Sequence, residues 1–153
     1  MWDLTVDVDH DFYVVAGDTQ VLVHNCDSFT KEYPGGSTVL AELDDNGNMT
    51  MAVEASKGSV SGGQMFQDAM ESFGSENVKS FQAKWVRAMP SNLDAFNANL
   101  RAGMSCEEAA ANTFTGHMLS KYGLTDVYVD PSQLVGEFGN YTNVEPVFSL
   151  PAE

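Results

Sequence analysis

The stretch STVLAELDDNGNMTMAVEASKGSVSGGQMFQDAMESFG, residues 37–74, decides the fold. Its first two segments, residues 37–43 and 48–55, place apolar side chains at every second position, which is typical of half-buried strands. The Asn-Gly pair between them favours a tight hairpin turn. A segment rich in Gly and Ser follows, and then apolar side chains recur at helical spacing up to Gly74. The stretch therefore predicts a β-hairpin, a loop and an amphipathic helix, in that order.

The flanking sequence adds further elements to this unit. Ser91 and Ser105 each precede an acidic residue by three positions, which predicts the N-terminal caps of two more helices. The remaining polar segments, residues 27–36 and 136–142, read as loops. The predicted elements are strands at residues 78–86, 127–129 and 145–150 and helices at residues 64–73, 92–101 and 106–122. The sequence thus predicts an α+β or α/β fold: a mixed sheet with a β-hairpin, three helices and C-terminal strands, plus an N-terminal β stub.

Composition narrows the classes of function. The chain has 153 residues, 43% of them apolar, and a net charge of −15, so it can bury a core under an acidic surface. Nucleic-acid affinity comes largely from Lys and Arg, and 7 of these against 22 acidic residues argue against broad electrostatic binding of nucleic acid. The same charge disfavours anionic membranes, and no apolar run approaches the roughly 20 residues that span a bilayer. Two cysteines and three histidines are scattered, which predicts no metal site.

The N-terminal segment carries the most specific motif. WDLTVDVDHDFYV at residues 2–14 and TQVLVHNC at residues 19–26 resemble the end of a Hint domain, a self-cleaving relative of inteins. The resemblance implies that the Asn25 side-chain amide attacks its own backbone carbonyl and breaks the chain, that His24 assists as proton donor, and that Cys26 is the first residue released. It divides the chain into a Hint remnant, residues 1–25, and an effector domain, residues 26–153.

This Hint ending stands just upstream of the toxin tips of bacterial polymorphic toxins. The resemblance therefore implies a secreted toxin domain that is delivered by a parent carrier protein into a competitor cell and acts in its cytoplasm. It also implies a cognate immunity protein as partner. The activity does not follow from this context, because function lives in sites and not in folds.

The order of predicted elements after residue 36 is similar to the C-terminal two-thirds of a GNAT-type N-acetyltransferase. In that family a glycine-containing loop and a helix N-terminus face the pyrophosphate of CoA, and helix N-termini favour anions. Asn112, Lys121 and Gly123 agree with a later motif of the family, and Leu119 stands where its acid tyrosine would be. CoA is therefore a candidate cofactor. The implied cofactor-binding residues are Lys57, Gly58, Gly62, Gly63 and Asn112.

The candidate catalytic residues follow from their ability to move protons. His117 is the single histidine after Cys26, and Thr115 and Tyr122 lie close to it in sequence. Gly116 within a helical pattern predicts close approach of another backbone or a ligand. The predicted cleft lies between the glycine loop, defined as residues 58–63, and residues 113–122.

Three classes of function remain open on these residues. The first is an enzyme that transfers a group with a phosphate-bearing cofactor. The second is a nuclease that acts on RNA or DNA through His117. The third is a non-enzymatic binding module or an inactive remnant, in which His117 is a hydrogen-bonded histidine at a helix end.

Overall fold

A computed structural model describes residues 11–16, 19–24, 27–54 and 56–152, and within these it has a mixed α+β fold, as predicted. The helices are α1 (Gly62–Phe73), α2 (Pro90–Arg101), α3 (Cys106–Ala111) and α4 (Phe114–Ser120). The strands are β1 (Asp11–Ala16), β2 (Thr19–His24), β3 (Asp27–Glu32), β4 (Thr38–Leu43), β5 (Asn48–Glu54), β6 (Ser80–Gln82), β7 (Trp85–Val86), β8 (Asp126–Tyr128), β9 (Val135–Glu137), β10 (Asn140–Val144) and β11 (Val147–Ser149).

A six-stranded sheet in the order β3-β4-β5-β6-β11-β8 forms the centre of the fold. Its strands pair antiparallel except for β5 and β6, which run parallel. Alternate side chains of the sheet face a core that they share with α1 and α2. The largest fully buried side chains of this core include Met49 and Phe148 from the sheet, Met70 from α1 and Phe96 from α2.

A second sheet, β7-β10-β9, is antiparallel and lies against α2. Asn97 of α2 fastens it through its side-chain amide. The amide nitrogen donates to the backbone carbonyl of Tyr141 at 3.0 Å, and the amide oxygen accepts from the backbone N–H of Tyr141 at 2.8 Å. Strands β1 and β2 pair with each other as a separate antiparallel hairpin.

The predicted central hairpin is confirmed as β4 and β5. Its turn is held by the Asp44 carboxylate, which accepts the backbone N–H groups of Asn46 and Asn48 at 2.9 Å each. Gly47 adopts φ = +83°, a conformation that glycine reaches without strain. The local turn chemistry that predicts this hairpin is therefore the chemistry that forms it.

The prediction of three helices is wrong, because residues 106–122 form two helices. The capping box of Ser105 and Glu108 begins α3 as predicted, but Thr113 starts a new helix. Its hydroxyl accepts the backbone N–H of Gly116 at 3.1 Å and donates to the Ala110 carbonyl at 2.7 Å. The buried Thr113 hydroxyl thus donates one hydrogen bond to the end of α3 and accepts one from the start of α4, and the chain changes direction at this residue.

Other predicted boundaries also change. Residues 27–32 are the edge strand β3 and not a loop, because they pair antiparallel with β4 along their whole length. Phe29 alone turns a large apolar side chain toward the core. The strand predicted at residues 78–86 is divided between the two sheets as β6 and β7. Residues 135–144 form the hairpin β9–β10, where a loop is predicted. Ser91 lies inside α2, which begins at Pro90.

Candidate functional site

The parallel pair β5–β6 opens into a gap. The register joins Asn48 to Ser80 and Thr50 to Gln82 and then ends, whereas β5 continues beside β4 to Glu54. After Gln82 the chain continues beside β11, which flanks β6 on the side away from β5, because the Ala83 N–H donates to the Pro146 carbonyl at 3.0 Å. The carboxyl ends of β5 and β6 therefore separate, and we call the space between them the β5–β6 gap.

Hydrogen-bond alternation determines which backbone groups face this gap. The Asp44 N–H donates to the Asn48 carbonyl at 3.0 Å across the hairpin, so even-numbered residues of β5 bond to β4. The backbone groups of Met51 and Val53 then point away from β4, toward the gap. The Thr50–Gln82 pairing of the parallel ladder engages the Met51 N–H, so the Met51 carbonyl and the backbone groups of Val53 form the edge that faces a ligand of extended shape.

The glycine loop leads from the end of β5 into α1. Gly58 has φ = +83° and Lys57 is exposed, while Ser59 donates to the Pro34 carbonyl at 2.7 Å. Gly62 and Gly63 already belong to the first turn of α1, so the loop proper ends at Ser61. The Ser61 hydroxyl accepts the Gln64 N–H at 3.2 Å. The first N–H groups of a helix have no intrahelical acceptor, which leaves those of Gly62 and Gly63 for other partners.

Helix α4 lies against this first turn of α1. A Cβ atom placed on Gly63 would be 3.7 Å from the Phe114 ring and 3.8 Å from the Met118 sulfur. The end of the glycine loop and the start of residues 113–122 are therefore neighbours in space. His117 belongs to the same helix, lies between Phe114 and Met118 in the sequence, and has an exposed side chain.

The remaining candidate residues have structural partners or packing. The Asn112 side chain donates to the Glu108 carbonyl at 2.8 Å and caps α3. The backbone N–H of Thr115 donates to the Asn92 side chain at 3.2 Å. Tyr122 is half-buried with its ring 5.7 Å from that of Phe66. Burial and then the charge of Glu71 raise the pKa of Tyr122, so its phenol keeps its proton at neutral pH.

A polar cluster that the sequence did not reveal docks α1 on the edge strand β3. Asp68 of α1 accepts the Tyr33 hydroxyl at 2.7 Å, the Lys31 ammonium at 3.2 Å and the Gln64 amide at 2.8 Å. These hydrogen bonds, that of Tyr33 first, lower the pKa of Asp68. Burial, the bond to Asp68 and its charge raise the pKa of Tyr33 from 10.0 to about 12. The cluster fixes the first half of α1, and with it the glycine loop.

The structure describes the residues of the cleavage motif only in part. Asn25, Cys26 and the side chain of His24 lie outside the described residues, so cleavage stays a prediction. None of the described helices is long and apolar enough to cross a membrane. Within residues 27–54 and 56–152 no group of three or more His, Cys, Asp and Glu side chains could hold a metal ion.

Comparison of the chain with models of protein families, with curated proteins and with solved structures finds no match. The resemblances to Hint domains and to GNAT-type enzymes therefore rest on the sequence alone.

Proposed function

We propose that residues 26–153 are the effector domain of a polymorphic toxin. In this proposal the domain is released from its carrier after Asn25, acts in the cytoplasm of a competitor cell, and is neutralised in the producing cell by a cognate immunity protein. The support is the motif at residues 2–26, whose spacing and final His-Asn-Cys agree with the end of a Hint domain.

For the chemistry, we propose group transfer with a phosphate-bearing cofactor of the CoA type. The observation that carries this is the glycine loop, which leads from β5 into the N-terminus of α1 beside α4. Ligands of α/β sheets bind beyond the carboxyl ends of parallel strands, and helix N-termini bind phosphates. A bound CoA thioester would supply an activated acyl group.

The chain offers groups that fit the parts of such a cofactor. The N–H groups of Gly62 and Gly63, together with the exposed Lys57, suit a pyrophosphate in a protein with few cations. The edge of β5 at Val53 suits an arm that carries amides, because such an arm can hydrogen-bond as an added strand.

His117 is the group we propose to move the proton of the acceptor. It is exposed on a helix that contacts the first turn of α1, and an imidazole can both accept and donate a proton. Tyr122 keeps its proton at neutral pH, so it suits donation to a leaving group. Thr115 would help orient the acceptor with its hydroxyl.

Binding of CoA is tested by thermal melting of residues 26–153. CoA should raise the melting temperature of the unmodified chain, and Gly62→Asp should abolish that rise, because a carboxylate beside the phosphates repels them. An acidic residue in a first helical turn does not harm the helix itself. Ser91→Asp adds the same charge to the first turn of α2 and should keep the rise. No rise with the unmodified chain, or an equal loss in both variants, would contradict the cofactor proposal.

Toxicity is tested by expressing residues 26–153 in the bacterial cytoplasm. Growth should stop, and His117→Ala should restore it at equal protein level. Growth arrest with degraded RNA or DNA would instead support the nuclease alternative. Unchanged growth with soluble, folded protein would support the non-enzymatic alternative.

A further inference from the structure

The face of the six-stranded sheet that turns away from the core carries a trough along β5. Side chains on this face of β5 are short, namely Asn48, Thr50 and Ala52. Longer ones, Leu40 and Glu42 from β4 on one side and Gln82 and Lys84 from the β6 side, stand beside them. Two adjoining grooves result, of about 360 and 450 Å³, which share Glu42, Thr50 and Gln82.

The register explains why the trough is continuous. Glu42 pairs with Thr50, Thr50 with Gln82, and Gln82 with Val147, so these side chains form one row across four strands. From Asn48 to Ala52 the trough runs about 14 Å along β5, at about 3.4 Å per residue. This is the length of about four residues of an extended chain.

The charge of the trough is acidic. Glu42, Asp44 and Glu145 line it against the single cation Lys84. Hydrogen bonds from Asn48 and from the turn backbone lower the pKa of Asp44, so that carboxylate is ionised at neutral pH. Leu40 is 44% exposed at the trough and offers apolar surface beside the carboxylates.

We propose that this trough binds an extended polypeptide segment that carries Lys or Arg side chains. The carboxylates complement the cationic heads, and Leu40, Ala52 and Val147 contact the aliphatic stems, which Lys and Arg pack on apolar surface. The trough reaches Met51 and Ala83 at the β5–β6 gap, on the face of the sheet that turns away from α1. Its carboxylates select a cationic chain and not a phosphate, so the proposal does not depend on the cofactor.

The probe is a short capped peptide of alternating Lys and Ala, and the control is a matched peptide of alternating Glu and Ala. Fluorescence anisotropy measures the binding of each peptide at about 0.15 M salt, a concentration that screens distant charges. The Lys peptide should bind and the Glu peptide should not. Glu42→Gln with Glu145→Gln should weaken binding about tenfold, the equivalent of two exposed charge contacts of modest strength. The control pair Glu107→Gln with Glu137→Gln changes the net charge equally and should leave binding unchanged.

A second variant tests shape and not charge. Ala52→Phe fills the trough and should also weaken the Lys peptide, while melting curves verify that each variant is folded. Equal losses in the two double variants would attribute binding to the general charge of the chain and overturn the proposal. Absence of Lys-peptide binding would overturn it as well. Spermine, a flexible polycation, should bind more weakly than the peptide. Spermine that binds as tightly as the peptide, and equally to the Ala52→Phe variant, would show that charge alone is recognised and would also overturn the proposal.

Discussion

Replacing Gly116 by Ala should destabilise the protein, although alanine is the better helix former. A Cβ atom at this position would lie 2.3 Å from the Ala111 carbonyl oxygen and 2.6 Å from that of Ala110. These are backbone atoms, so relief requires α4 to move away from α3 by about 1 Å, which disturbs the buried Leu119 and the hydroxyl bonds of Thr113.

The expected magnitude follows from two opposing effects. Overpacking costs up to about 3 kcal/mol, whereas the change from Gly to Ala inside a helix gains about 1 kcal/mol. Gly116→Ala should therefore lower the free energy of unfolding by about 2 kcal/mol, which lowers the melting temperature of a domain of this size by about 4–8 °C.

Gly63→Ala is the matched control for this prediction. Its new Cβ would meet only side-chain atoms at 3.7–3.8 Å, an ordinary contact distance, so it should gain up to about 1 kcal/mol. Urea unfolding followed by circular dichroism measures both variants. A Gly116→Ala protein as stable as the unmodified one would refute the close approach of α4 to α3.

The remaining predictions concern one pH dependence and one cap. The pKa of Tyr33 is about 12 in the folded protein against 10.0 for an ordinary tyrosine, so above pH 10 the unfolded chain loses a proton that the folded chain keeps. Stability should therefore fall between pH 10 and 12, and Tyr33→Phe should flatten this part of the denaturation profile; an unchanged profile would place the alkaline loss elsewhere. Ser105→Ala removes one side of the capping box and should cost about 1 kcal/mol in urea unfolding, whereas the exposed Ser72→Ala inside α1 should gain up to about 0.5 kcal/mol.

Local chemistry made part of the fold predictable. The β4–β5 hairpin depends on the turn at Asp44–Asn48 and the start of α3 on its capping box, and both are readable from a few adjacent residues. The sequence does not predict strand β3, because an edge strand exposes most of its side chains and Phe29 alone is a weak signal. The break before α4 depends on the contact of Gly116 with Ala110 and Ala111, and the sequence indicates a close approach there but not its partner.

The candidate site was less predictable because it depends on register. Gly63 lies beside Phe114 and Met118, but the predicted cleft between these segments and the roles of His117, Thr115 and Tyr122 stay predictions. The β5–β6 gap arises because two strands some thirty residues apart in sequence pair over three residues only. The bonds of Asp68 to Lys31 and Tyr33 likewise span 37 and 35 residues, and no local pattern announces them.

The position of β11 has a consequence for how the chain is made. This strand comes last in the described sequence, yet it lies between β6 and β8 in the interior of the sheet. During synthesis from the N-terminus, β6 and β8 must wait with open edges, and the core cannot receive Phe148, until residue 149 has left the ribosome. A chain cut before β11 would thus lack the strand that joins β6 to β8, and a protease that acts between β10 and β11 would open the middle of the sheet.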